Sequence, residues 1–199
     1  MVLSDVPLDR QVRKAFADGL SQIGSDPLRE KVVRAWILSM ELASSTDLDA
    51  DLPSVGFIHD RERRGYGVEH VNAVTDMATC LAKSLIRAHR MTIDLDVVIA
   101  GALLHDVGKL LEHASGGSTH PLADPMVSHA FSGVHIGVQA GLPKEVLHVI
   151  AYHAFEGHRR RRSHECEIVY RADMISVDAL SRRELGRPGA EMIKYVYLP

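Results

Sequence analysis

The apolar run from Val97 to Leu104 leads without interruption into His105-Asp106-Val107-Gly108-Lys109. A run that apolar is expected to be buried, so the two polar residues at its end are carried toward the interior. A buried carboxylate must be paired, hydrogen-bonded or bound to a metal ion. The junction therefore predicts a site, or else a costly core. The dipeptide alone decides nothing, because His59-Asp60 repeats it in a charged stretch. The test is which other ligand-type side chains the fold turns toward one pair and not the other.

Helical periodicity supplies that test. Asp9 can cap a helix reaching about Ile23, and Asp26-Pro27 starts a second, carrying Val32, Val33, Trp36, Ile37, Met40 and Leu42 to about Ser44. From Ser45 to Gly67 the pattern dissolves into a long connection around His59-Asp60-Arg61-Glu62-Arg63-Arg64. It reads as a solvated loop, with a lid bringing arginines to an anionic substrate as the alternative. The period returns from Val68 to about His89 through Val71, Val74, Met77, Ala78, Leu81 and Leu85, and His70 shares that inward register. Asp94 caps the helix that runs into His105-Asp106, and Gly108 bends or loosens it. Asp124-Pro125 repeats the start signal for a fifth helix, with Val127, Phe131, Val134 and Val138 on one side and His129, Gly133 and Ile136 on a neighbouring stripe. A sixth, from about Pro143, sets Val146, Val149, Ile150 and His153 on one face. A seventh follows the loop Glu156 to Ser163 and aligns Val169, Asp173, Ser176, Val177 and Leu180. No alternating strand, internal repeat or low-complexity segment interrupts this pattern. The expectation is an all-α, single compact domain of about seven helices. Residues 1–67 would pack on a core of residues 68–185, and residues 186–199 would form a tail.

Bulk properties exclude several classes. The chain of 199 residues carries a formal charge of −3, so it has no global pull toward nucleic acid or an anionic membrane, and only the run Arg159 to Arg162 is a local exception. Cys80 and Cys166 have no metal-binding spacing and form no disulfide framework, which suits a reducing cytoplasm. The first residues lack the basic and apolar regions of a secretory signal, and the apolar run is far shorter than the ~20 residues of a membrane helix. A cytoplasmic protein without membrane contact is expected.

Helical phase thus turns six polar residues inward: His70, His105, Asp106, His129, His153 and Asp173. Each histidine alone has an ordinary explanation as a core residue hydrogen-bonded to backbone. Six together are hard to satisfy that way, whereas metal coordination satisfies them at once. A mixture of imidazole and carboxylate suits Fe, Mn, Zn, Co or Ni.

The order His, His-Asp, His, His, Asp resembles the HD-domain superfamily of metal-dependent phosphohydrolases, and small stand-alone members in particular. The matches are His70, the string His105-Asp106-Val107-Gly108-Lys109, His129 with Gly133 four residues on, His153, and Ala172-Asp173, covering about Val68 to Leu180. The resemblance implies that His70, His105, Asp106 and Asp173 hold one divalent metal, and that Asp106 bridges to a second held by His129 and His153. It implies cleavage of a small phosphate ester or nucleotide by metal-activated hydroxide, with Asp106 and Lys109 in catalytic roles. Lys109 would meet the substrate phosphate as a point charge; a solvated lysine at a helix end is the ordinary reading. Arg159 and Arg160, close behind His153, and His135, on the helix of His129, are substrate-contact candidates, although surface or structural use explains each as well. No aromatic residue interleaves with the arginine run, which disfavours nucleic acid as a partner. His153 is followed by Ala154-Phe155-Glu156-Gly157, without the Gly-Tyr-Pro string of the HD-GYP phosphodiesterases, so cyclic dinucleotides are disfavoured too.

Two further readings use the same residues. HD-fold mixed-valent di-iron oxygenases would need the same six ligands, and a degenerate HD fold would serve as a non-catalytic nucleotide-binding module. A homodimer is compatible with all three.

Overall fold

The computed structural model describes residues 6–53, 65–114 and 117–186, and among them it is helical without a strand. Ten α-helical segments follow in order: α1 (Leu8–Ala15), α2 (Ala17–Gln22), α3 (Asp26–Ala43), α4 (Leu48–Asp51), α5 (Tyr66–His89), α6 (Leu95–Leu104), α7 (Lys109–Glu112), α8 (His129–Gln139), α9 (Lys144–Tyr152) and α10 (His164–Leu185). A single 3-10 turn, Phe155–Gly157, follows α9. The charged stretch His59 to Arg64 and the chain after Gly186 lie outside the described residues.

Helix α6 is the axis of the molecule. It packs against α2, α3, α5, α9 and α10, and every residue from Val97 to Leu104 is buried. That encirclement explains why the run is apolar on all sides instead of striped. Asp94 caps it as expected, accepting from Val97 N at 3.2 Å. Helix α3 braces its far end: Trp36 Nε1 donates to Leu103 O at 3.1 Å and Ser39 Oγ to Val107 O at 2.5 Å. These bonds straddle His105-Asp106 and satisfy carbonyls that the end of α6 leaves open.

The expected first helix is two. The backbone leaves helical geometry at Phe16 (φ −118°, ψ 23°), and this break lets Val12, Phe16, Leu20 and Ile23 all reach the core, Phe16 stacking on Trp36 with centroids 5.0 Å apart. The caps also differ. Ser25, not Asp26, accepts from Leu28 N, and Pro7 stands at the start of α1 while Asp9 pairs with Arg13.

Helix α8 departs most. Asp124 accepts from Met126 N in a turn, and the helix begins only at His129. Its apolar stripe faces outward, Phe131 being 66% and Val138 60% exposed. The buried face is Ala130, Ser132, Gly133, Ile136 and Gly137. Close approach decides the orientation: a Cβ at Gly133 would press on Ile150 and Val107, and one at Gly108 would collide with the His129 carbonyl. Only the small-residue face fits against α9 and the turn after α6.

Candidate metal centre

Helix α6 ends at Leu104, and His105, Asp106, Val107 and Gly108 form the turn that follows it. His70 arrives from the first turns of α5, Asp173 from the middle of α10, His129 from the first position of α8 and His153 from the C-cap of α9. All six expected residues therefore meet, and all but His129 are buried.

The two oxygens of Asp106 face different partners. Oδ2 lies 3.2 Å from His105 Nε2 and 3.4 Å from His70 Nε2. Oδ1 lies 3.6 Å from His129 Nε2 and 3.9 Å from His153 Nε2. Asp173 Oδ1 joins the first side, 3.2 Å from His70 Nε2 and 3.9 Å from His105 Nε2. Two groups of donor atoms that could hold a cation follow, each spanning no more than 4.8 Å: His70, His105 and Asp106, and Asp106, His129 and His153.

The hydrogen bonds of the rings reveal what kind of cation fits. His105 Nδ1 donates to Ala102 O at 2.7 Å, and His153 Nδ1 to Ile150 O at 2.9 Å. Carbonyls only accept, so Nδ1 carries the proton and Nε2 presents a lone pair when the ring is neutral. His129 Nδ1 likewise donates to Glu112 Oε2 at 2.8 Å. In neutral rings this leaves the Nε2 atoms of His129 and His153 as two lone pairs only 3.2 Å apart. His70 and His105 bring their Nε2 atoms to 3.3 Å, with His70 Nδ1 2.9 Å from Ser176 Oγ. Lone pairs converging in this way suit a Lewis acid between them, and the Nδ1 partners match the oriented surroundings of metal-bound imidazoles. Asp106 Oδ2 agrees: it is buried and makes no aligned hydrogen bond, although Lys109 Nζ approaches obliquely to 2.6 Å. The donor set thus fits a transition-metal ion.

Ionisation follows from the same contacts. Burial alone would raise the Asp106 carboxyl, but the charges of His105 and Lys109 and the close approach of the His105 and His70 imidazoles outweigh it and hold Asp106 well below the usual range. Asp173 is lowered against its burial chiefly by His70. Burial, reinforced by His105 and His129, pushes His153 down to about 3. Burial also acts to lower His70, but the Asp106 and Asp173 carboxylates close beside it reverse the balance and raise it. Neither cysteine takes part: Cys80 is exposed, and burial pushes the Cys166 thiol up to about 12.

The remaining candidates lie elsewhere. Lys109 is buried against Asp106 and is not a solvated helix-end residue. His135 sits on the outer half of α8 beside His120 and Gln139, outside the cluster. Arg159 and Arg160 are exposed on the loop after His153. One residue went unnoticed in the sequence: Glu112, whose Oε2 accepts from both His129 N at 3.0 Å and His129 Nδ1. It orients the ring and closes the open amino end of α8 in one contact. Its signal was a carboxylate one helical turn beyond Lys109.

Comparison with known proteins places this geometry. The family profile of the HD domain matches residues 67–178. The chain belongs to the HD domain family. That membership identifies the superfamily of metal-dependent phosphohydrolases, and the His/Asp groups of this HD domain are ones that could bind a divalent metal. A curated relative, Ribonuclease Y of Acidothermus cellulolyticus, is 29% identical over 197 residues, which cover 92% of this chain and 35% of the relative. The chain thus spans about a third of that protein's length. No solved structure gives a significant match. No helix among the described residues is long and apolar enough to cross a membrane.

Proposed function

We propose that this HD domain is a phosphohydrolase whose centre holds two divalent metal ions sharing Asp106. The observation that carries the reading is the division of Asp106, one oxygen toward His70 and His105 and the other toward His129 and His153. Asp173 would complete the first position. Bound ions of this type supply hydroxide near neutral pH and offset charge on a phosphoryl group.

The chain's own residues do the rest. Ala102 O and Ile150 O fix the tautomers of His105 and His153, so their Nε2 lone pairs stay aimed inward. Glu112 does the same for His129 and strengthens it as a donor. Burial keeps His153 neutral and therefore able to ligate. Lys109 brings a fixed positive charge to Asp106, and we assign it to the substrate phosphate. The substrate is a phosphate ester of nucleotide type, and the likeness to a ribonuclease adds RNA to the substrates to be tested.

Metal analysis coupled to hydrolysis of a chromogenic phosphodiester, nucleotides and RNA tests the proposal. Up to two transition ions per chain are expected, with hydrolysis lost on chelation and in Asp106→Ala. Metal-loaded protein inert toward the whole panel would overturn the reading, and an iron(II)/iron(III) pair with oxygen uptake would replace it by an oxygenase.

A further inference from the structure

We infer that the corner between α9 and α10 is a binding platform for single-stranded nucleic acid, placed beside the candidate metal centre. Nucleic acid was disfavoured because no aromatic residue interleaves with the arginine run. The fold supplies those rings from outside the run.

The Phe155 and His158 rings touch with centroids 4.5 Å apart and planes inclined at 52°. His158 Nε2 lies 3.2 Å from Tyr170 Oη, with the two rings perpendicular. The guanidinium of Arg162 lies 3.8 Å from the Tyr170 ring centroid, and that of Arg171 lies 5.2 Å from it. A contiguous cluster of rings and guanidinium groups results, spanning the loop and α10, with His158 exposed on it.

The four arginines divide by role. Arg162 is structural: Nε donates to Tyr152 O and Nη2 to Ala154 O, both at 2.7 Å. It is also the one that pairs with Glu167. Arg159, Arg160 and Arg161 are exposed and make no side-chain hydrogen bond or ion pair among the described residues. Three exposed arginines without a paired carboxylate among the described residues concentrate positive charge on a net acidic chain. Such charges track phosphates, while bases stack on adjacent rings and guanidinium planes. A duplex hides its bases, so an unpaired strand fits best.

The platform is continuous with the centre. Phe155 follows His153 by two residues, Tyr170 precedes Asp173 by one helical turn on α10, and Arg162 grips the carbonyls on either side of His153. Delivery of a strand to the metals rests on the hydrolase reading above; binding does not.

Fluorescence anisotropy with a short labelled oligouridylate, read before any turnover on the full chain as purified, tests the platform. The combined substitution Arg159→Ala, Arg160→Ala, Arg161→Ala is expected to weaken binding about tenfold or more at physiological salt, and to flatten the log–log salt slope by about two, at ~0.7 per phosphate. His158→Ala should weaken binding several-fold and leave the slope unchanged, because a stacking contact carries no counterion. A duplex of equal length should bind more weakly. The inference fails if the triple variant binds like the parent. It fails equally if His158→Ala has no effect while inorganic polyphosphate competes as well as the strand, which would define a simple polyanion site. Circular dichroism and metal content should match the parent in both variants. A chain that binds the strand this way yet hydrolyses no phosphate ester would sink the hydrolase reading and leave the platform standing.

Discussion

The two sides of Asp106 are built differently. His70 and Asp173 lie within the long helices α5 and α10, His105 directly follows the encircled axis α6, and their side chains are at most 7% exposed. His129 and His153 come from helix ends, the first residue of α8 and the C-cap of α9, and the His129 side chain is 17% exposed. One position is framed by the core; the other depends on how two helix termini dock. The first should resist perturbation from its surroundings, while the second should respond to anything that moves α8.

The largest effect is expected where the sides join. Asp106→Ala should strip or disorder both ions and cut phosphoester hydrolysis by roughly 10² to 10³-fold or more, the scale of losing one electrostatic group at a reacting centre. Retention of two tightly held ions would break the shared-carboxylate picture. Next comes Gly108→Ala, whose Cβ collides with the His129 carbonyl. It should push α8 away and release the second ion before the first, read as a metal content near one per chain with lowered thermal stability. His129→Ala should give the same stoichiometry with little loss of stability, which separates ligation from docking.

Glu112→Gln sharpens the comparison further. The amide can still accept from His129 N but removes the charge that polarises the ring, so affinity at the second position should fall about 10–100-fold with the first unchanged. Equal loss at both positions would mean that Glu112 acts on the fold and not on His129.

The smallest effect is in pH. In chelated protein His153 is lowered to about 3, so the unfolded chain binds more protons below its ordinary value of 6.5. Its contribution is present above pH 6.5 and declines as pH falls toward 3. His70 is raised, so its contribution is present below 6.5 and is lost as pH rises through the folded value. The sides therefore pull in opposite directions. His153→Phe should lessen the fall in unfolding temperature between pH 6.5 and 5, and His70→Phe should not; identical profiles would remove the distinction.

The core-framed side was the more legible from sequence. His70 and Asp173 lie on long helices where phase fixes direction, and α6 announced itself by its composition. The helix-end side was harder to read because its geometry is set by contacts distant in sequence. The start of α8 is closed by Glu112, 17 residues upstream, and local turn signals at Asp124-Pro125 pointed too early. The outward stripe of Phe131 and Val138 follows from close packing at Gly133, which periodicity alone weighs as nothing. The ring cluster joins Phe155 to Tyr170 across a loop, so no short window of sequence contains it.

The bond from Trp36 to Leu103 O has a practical consequence. Trp36 is the chain's single tryptophan, and its indole is anchored two residues ahead of His105. Tryptophan emission therefore comes from one buried fluorophore at the edge of the proposed centre. Loading, stripping or shifting an ion there should change the colour or intensity of that emission, giving the protein a label-free optical gauge of its own occupancy.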